Sequence, residues 1–382
     1  MKTHVRIGIK ELPFWHSLLL RLPSPQGCLA FLVGGWVRDL LLFGNPVKLE
    51  MDWSVPGNAV SWARQIAEVF GVQILSESPL GTAKLVVVHE GVAVRFDLAS
   101  CRKEIYPVPG KLPAVSPATI EEDLARRDFS INALAIPVTF PFRTHPILDP
   151  LGGIRDLKEK KLRILHDDSF RDDPTRIFRL FRFKHRLGMS LSNETEKALV
   201  QARNSGFLLA VSRSRLWDEI RNTILEEEPL SIVSDWLVWS PWGKELPSLG
   251  NTSPRRMRLI RWHHLRNVVP ALTESGKYHQ ESLFLISLLY GLSRTEFRKA
   301  TLLFGVPERV RERIRLIFFE KDDRGVFRLF EQRCTREDSW WTEAKRISLG
   351  SAYLLSVRSP IERSWFWEEF FRKVEDCCPF DG

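Results

Sequence analysis

Phe31-Leu32-Val33-Gly34-Gly35-Trp36-Val37-Arg38-Asp39, followed by Glu50-Met51-Asp52, is the stretch on which the fold turns. A short apolar run closed by two glycines reads as a strand ending in a tight turn, and Trp36 to Phe43 has the apolar spacing of a helix. Val47 to Val55 reads as a second strand. Glycine permits the tight turn and the close approach of backbone to a ligand. The first N–H groups of the following helix face outward with partial positive charge, which suits phosphate. Arg38, one turn in, adds a cationic donor, and Asp39 stands where it can cap or orient that arginine. Side chains alternate along a strand, so Glu50 and Asp52 share one face. Two carboxylates side by side repel unless a cation lies between them, and hard oxygen ligands of this kind suit Mg²⁺. Taken singly, a Gly-Gly pair is an ordinary turn and an acid-x-acid triplet an ordinary pair of surface acids. In strand–turn–helix–strand order they bring phosphate and metal onto one scaffold.

Working outward, Ser61 to Phe70 is helical, and Lys84 to Val88 with Val92 to Leu98 flank His89-Glu90-Gly91 as a hairpin. Asp97, in Arg95-Phe96-Asp97-Leu98, is a candidate third carboxylate on a neighbouring strand. Two divalent ions about 3.5–4 Å apart would activate an attacking hydroxyl and stabilise a leaving group. Tyr106 to Pro117 carries Pro107, Pro109, Pro113 and Pro117 and reads as a loop. A helix over Ile120 to Ala125 and an apolar stretch over Ile131 to Ile136 follow. Beyond Pro174 the pattern is helical throughout: Ile177–Leu187, Glu194–Asn204, Arg213–Glu226, Ser282–Leu292, Arg294–Phe304 and Pro307–Glu320. The expected class is α+β, a mixed-sheet head followed by helices. The expected boundaries are a catalytic head over 1–160, a helical neck over 161–230, and a helical body and tail over 231–382.

With 382 residues the chain is long enough for two to four structural units. A hydrophobic share of 44% and a charged share of 27% fit a soluble globular protein. No uninterrupted apolar run approaches the roughly 20 residues of a membrane helix, and no signal peptide is expected. Cys28, Cys101, Cys334, Cys377 and Cys378 show neither metal-ligand spacing nor a disulfide framework, which points to a reducing cytoplasm. The net charge of +9 is the balance of a protein that meets phosphate backbones.

Four ordered segments over residues 31–183 then carry a family resemblance. The opening stretch with Glu50-Met51-Asp52 resembles the first motif of the bacterial and eukaryotic-type tRNA nucleotidyltransferases and their bacterial poly(A) polymerase relatives. Leu124-Ala125-Arg126-Arg127-Asp128-Phe129-Ser130-Ile131-Asn132-Ala133-Leu134-Ala135 resembles the second, Leu148 to Leu157 the third, and Phe170 to Phe183 the fourth. The resemblance implies a polymerase-beta-like nucleotidyltransferase head that transfers CMP and/or AMP from CTP and ATP to the 3′ end of a tRNA, releasing pyrophosphate. It implies Glu50 and Asp52 as ligands of Mg²⁺, with Gly34, Gly35 and Arg38 near the triphosphate. Arg127 would touch the incoming nucleotide and Asp128 the ribose 2′-hydroxyl, the group that separates RNA from DNA precursors. Asn132 reads as a brace.

In the fourth motif, Pro174 fits the first turn of a helix with Asp172 and Asp173 at its start. Arg176, Arg179 and Arg182 recur at every third position of a largely apolar helix, where each charge needs a partner. The resemblance implies that Asp173 and Arg176 meet the base edge, since a carboxylate accepts from the cytosine N4 amine and arginine donates to base acceptors. Arg179 and Arg182 would hold the helix and the phosphates; the alternative is that they salt-bridge to acids of the head. The chain departs from the family pattern at Glu50, where aspartate is usual, at Asp172, where glutamate is usual, and at Ser130, where threonine is usual. Residues 102–120 occupy the place of the loop that governs which nucleotides the family adds.

Arg255, Arg256, Arg258, Arg261, Arg266 and Lys277, interleaved with Trp262, His263 and His264, and a second run of Arg309, Arg311, Arg313 and Arg315, would track an RNA stem by its phosphates or form a solvated basic face. Trp236, Trp239, Trp340, Trp341, Trp365 and Trp367 read as core. Two other functions fit the same motifs: a poly(A) polymerase acting on general RNA 3′ ends, and a catalytically inactive RNA-binding relative.

Overall fold

The apolar run before the two glycines is a strand, β1 (Leu29–Val33), near the middle of a seven-stranded sheet. The computed structural model describes residues 11–239, 249, 276–289 and 292–319. The chain divides into two units, Met1–Arg176 with Leu187–Ala202, and Ile177–Arg186 with Arg203–Gly382.

The first unit opens with α1 (Pro13–Leu20), β1, α2 (Gly34–Phe43), β2 (Glu50–Val55), α3 (Ala59–Phe70), β3 (Ile74–Ser78), β4 (Thr82–His89) and β5 (Val92–Ser100). The strand pair β6 (Arg102–Ile105) and β7 (Ala114–Pro117) follows, then α4 (Ile120–Ala125), β8 (Ala135–Thr139), β9 (Arg143–Thr144), α5 (Gly153–Lys158), β10 (Lys161–Leu162) and α6 (Ser169–Asp172). The large sheet runs β3-β4-β5-β2-β1-β8-β9; β2 and β5 are parallel and the other neighbours antiparallel, so the sheet is mixed. Along β2 the pleat buries Met51 and Trp53 on the face that packs on α3, which leaves Glu50 and Asp52 on the other. Trp62 of α3 meets Trp53 edge to face, with ring centroids 5.1 Å apart. Asn58 caps α3 by accepting from the Ser61 N–H at 3.0 Å.

The structure departs from two local expectations. The proline-rich segment is not all loop: β7 pairs with β6 from Arg102↔Pro117 to Ile105↔Ala114. Pro117 sits at the end of that ladder, where a missing N–H does least harm. The fourth motif does not start its helix at Asp172 either. Asp172 ends α6, and Asp173 adopts an extended backbone (φ −132°, ψ 93°) before Pro174, the conformation that a following proline imposes. The long helix, α7 (Arg176–Arg186), begins after that break.

The stretch Leu187–Ala202 adds to the first unit β11 (Ser190–Leu191), paired parallel with β10, and most of α8 (Asn193–Ser205). In the second unit α7 buries Phe178, Leu180 and Phe181. It is joined there by α9 (Arg213–Ile224), α10 (Pro229–Trp239) and the helices Gly276–Leu289, Arg294–Leu303 and Glu308–Phe319. Trp236 lies in that core against Phe178, while Trp239 is half-buried under the Arg203 guanidinium. Trp340, Trp341, Trp365 and Trp367, the cluster Arg255 to Arg266 and the side chain of Lys277 lie outside the described residues. Among the described residues no helix is long and apolar enough to cross a membrane.

Candidate active site

Sheet register assembles the first part of the site. The pairing of β2 with β5 sets Glu50 beside Arg95 and Asp52 beside Asp97, and the pairing of β5 with β4 sets Lys84 on the far side of Asp97. Acids and bases therefore alternate across one open face. Arg95 grips Asp97 with Nε at 2.9 Å and a terminal nitrogen at 3.2 Å, Lys84 Nζ reaches Asp97 at 3.1 Å, and Arg95 stands 3.9 Å from Glu50. Burial pushes the Asp52 carboxyl above the ordinary range; Asp97 and Glu50 add to the rise, against the pull of Arg127 and Arg38.

The start of α2 closes over this face. Val33 provides no side-chain cap, so the first N–H groups of the helix are left without one. Gly34 has φ +68°, and a β-carbon there would lie 3.0 Å from Asp52 Oδ2 and 3.3 Å from a terminal nitrogen of Arg127. Only glycine lets the helix start, the carboxylate and the guanidinium converge. Arg127 also donates to Ser54 at 3.2 Å and to Asp123 at 3.1 Å, yet its Nε is a buried donor with no partner among the described residues.

Behind this mouth lies a buried polar web. Arg38 donates to Asp39 at 2.8 Å and to Asn132 at 2.8 Å; Asn132 in turn donates to Asp128 at 3.0 Å, and Asp128 accepts from the Phe129 N–H at 2.8 Å. Asn132 thus braces Arg38 against Asp128, and Arg38 ties the first motif to the second. Gly153 of the third motif holds that turn from beneath: a β-carbon there would fall 2.2 Å from the Ser130 carbonyl. Ser130 donates to the buried Asp156 at 2.5 Å.

At the fourth motif, Asp173 accepts from the Thr175 N–H at 3.0 Å and its hydroxyl at 2.6 Å. Arg176, buried, donates to Ser169 at 2.7 Å and to the Arg126 carbonyl at 2.7 Å. These bonds hold Arg176 against the second motif. Arg182 lies within the second unit, paired with Glu219 at 3.0 Å, and Arg179 stacks on Phe183 with 5.6 Å to the ring centroid. The acids that meet Arg182 are Glu219 of α9 and Glu226 just beyond it, both in the second unit.

Reading the sequence missed the hub of the site, Asp123. It is fully buried and receives Arg126 at 2.7 Å, Arg127 at 3.1 Å and Ser54 at 2.9 Å. Burial alone would raise its carboxyl, but Arg127 and Arg126 overcome this and hold it below the ordinary range. Its spacing of three and four residues from those arginines, one helical turn, was the available signal. Glu104 was missed too: it binds Arg102 and Arg126, each at 2.9 Å, and accepts from Tyr106 at 2.7 Å.

The donor set suits a hard divalent cation. Among the described residues no three His, Cys, Asp or Glu side chains are gathered as a metal site; Asp52 lies against the start of α2, and Glu50 shares its strand face. Their oxygens, the uncapped helix start and the spare donor of Arg127 together fit a metal-bound polyphosphate. In the second unit, Arg294, Arg298, Arg311 and Arg315 line a groove of about 370 Å³ whose other walls are Phe297, Glu308 and Glu312.

A mixed sheet that carries paired acids under a glycine-started helix defines the nucleotidyltransferase class of head. Residues 30–163 match the family described as the poly A polymerase head domain. An A-adding tRNA nucleotidyltransferase of Aquifex aeolicus (strain VF5) is 44% identical over 205 residues, 53% of this chain and 24% of that protein. A CCA-adding enzyme of Pseudomonas putida (strain W619) is 30% identical over 294 residues, 75% of this chain and 70% of that one. The solved structure of a CCA-adding enzyme in its apo form II superposes with a TM-score of 0.75 at 25% identity, covering 99% of this chain and 86% of that one. A tRNA nucleotidyltransferase complexed with a primer tRNA and an incoming ATP analog superposes with a TM-score of 0.68 at 29% identity, covering 92% and 97%. The chain belongs to the family of tRNA nucleotidyltransferases built on the poly(A) polymerase head domain. It spans 24%, 22%, 49% and 54% of the lengths of four A-adding and CC-adding curated relatives that it matches.

Proposed function

We propose that this protein transfers CMP and/or AMP from CTP and ATP to the 3′ end of a tRNA, releasing pyrophosphate, in the cytoplasm. The observation that carries the reading is the convergence of Asp52, the start of α2 and Arg127 around Gly34. Glu50 and Asp52 would hold Mg²⁺, which when bound supplies a Lewis acid for the attacking 3′-hydroxyl and for the triphosphate. Arg127 donates to the nucleotide, with Asp123 fixing its plane. Gly34 and Gly35 present the helix N–H groups to the phosphates. Arg38, anchored by Asp39 and Asn132, holds the first motif in register with Asp128, whose acceptor faces the ribose 2′-hydroxyl. Asp173 and Arg176 select the base by hydrogen bonds to its edge, and Arg179 and Arg182 hold α7. The arginine-lined groove of the second unit offers phosphodiester contacts to the RNA.

The test is incubation with a tRNA lacking its 3′ terminus, Mg²⁺, CTP and ATP. Extension by one to three nucleotides supports the reading, and the product lengths with CTP alone, ATP alone and both define which are added. No extension with either nucleotide overturns it. A second reading, tailing of general RNA, is compatible with the same head-domain match. Long A tails on an unstructured RNA with CTP ignored would select that one.

A further inference from the structure

We infer that Ser169 is the positioning residue of the base-reading pair, holding Asp173 and Arg176 in one fixed relation. The inference rests on the reading that these two residues meet the edge of the incoming base. Ser169 opens α6 and is fully buried. It bonds to both members of the pair. Its carbonyl accepts from the Asp173 N–H at 3.2 Å, and its hydroxyl oxygen accepts from a terminal nitrogen of Arg176 at 2.7 Å. The Arg176 N–H donates to the Asp173 carbonyl at 3.0 Å, so a closed ring of hydrogen bonds runs from Ser169 to Asp173 to Arg176 and back. The Ser169 N–H is itself tied to the His166 carbonyl at 3.1 Å.

The other terminal nitrogen of Arg176 donates to the Arg126 carbonyl at 2.7 Å. Arg126 is the C-cap of α4, and a helix end leaves such carbonyls in need of donors. A cation is also favoured at that negative end of the helix. The guanidinium is planar, so one bond to each terminal nitrogen fixes its plane. Both anchors are neutral oxygens. They orient the guanidinium without cancelling its charge, and they engage two of its five N–H donors. Arg176 is buried, so an N–H that lost the serine oxygen would have no water to replace it. An unmade bond to a buried charged group is costly enough to move the side chain in search of a partner. Asp173 is constrained as well, since Thr175 grips its Oδ1 through the N–H at 3.0 Å and the hydroxyl at 2.6 Å. The pair is therefore set before a nucleotide arrives, and Ser169 is the residue common to both halves.

The experiment is measurement of kcat/KM for CTP, ATP and UTP on a tRNA lacking its 3′ terminus, using the full chain, with circular dichroism confirming each fold. In Ser169→Ala the ratio for the preferred nucleotide over UTP should fall about tenfold, because the lost bond is one to a charged group. Ser169→Cys keeps the bulk but offers only a weak acceptor, so it should lose the ratio as the alanine variant does. A parent-like ratio in Ser169→Cys would mean that the serine only fills space, and the inference fails. Adding Ser169→Ala to Arg176→Ala should leave the ratio within about twofold of Arg176→Ala alone, since Ser169 acts through that arginine. A further fall in the double variant, or an unchanged ratio in Ser169→Ala, overturns the positioning role. Arg176→Ala tests the underlying reading separately: if its ratio stays at the parent value, Arg176 does not read the base.

Discussion

Gly34 and Asp52 are packed so closely that a β-carbon on the glycine would stand 3.0 Å from the carboxylate oxygen Oδ2. Gly34 also has φ +68°, so an alanine there meets backbone strain as well as the carboxylate. Gly44 shares the strain, with φ +74°, but has nothing within 4 Å. Both alanine variants should lose about 1–2 kcal/mol of stability to the backbone. Only Gly34→Ala should also lose nucleotide incorporation, by about a hundredfold. Single-turnover incorporation beside urea denaturation separates the two effects.

Asp52→Asn should trade activity for stability. Incorporation should fall by about 10²–10³-fold. Burial, helped by its acidic neighbours, raises the Asp52 carboxyl above its ordinary value, so its charge opposes folding at neutral pH. The asparagine variant should therefore denature at a higher urea concentration than the parent at pH 7, with the difference shrinking as the pH falls through the range where Asp52 takes up its proton.

Asp123→Asn should do the reverse. The Asp123 carboxyl is held below 3.8 in the folded protein, so the stability it contributes is fully present above 3.8 and is lost as pH falls through its lowered folded value. Breaking this buried network should cost about 3–5 kcal/mol at pH 7. The gap between parent and variant should close in acid, and denaturation curves at pH 7 and at pH 3 check this. Incorporation should fall as well, because Arg127 loses its anchor.

Asp173→Ala should blur base choice rather than stop chemistry. Losing one good hydrogen-bonding pair to a base edge is worth about 1–3 kcal/mol of discrimination. The ratio of kcat/KM for the preferred nucleotide over UTP should fall by about ten- to a hundredfold. An unchanged ratio with a uniformly lower kcat would place Asp173 in support of Arg176 instead.

Cys101 and Cys28 should differ in reactivity. Burial, with Asp123 beside it, pushes the Cys101 thiol up to about 12, and the side chain is buried; Cys28 is exposed. Since thiolate is the nucleophile, iodoacetamide at pH 8 should label Cys28 in the native protein and Cys101 only after denaturation, as read by peptide mapping.

Residues 31–52 determined by themselves that a strand ends in a glycine turn, starts a helix and returns as a strand bearing two acids on one face. This is so because strand alternation, helix periodicity and the conformational freedom of glycine are local properties. The helix spacing after Pro174 was legible for the same reason. The tertiary structure alone decided the partners. Strand register brought Lys84 onto Asp97 and set Asp52 beside it, across a separation in sequence that no period encodes. Likewise, the meeting of Arg38 with Asn132 and the capture of Arg182 by Glu219 each join residues far apart along the chain, and Ala114–Pro117 became a strand only by pairing with β6. Arg38, Asn132 and Arg182 are buried, and a buried polar group must find a partner. The sequence shows that such a partner is needed, and only the folded chain shows which one it is.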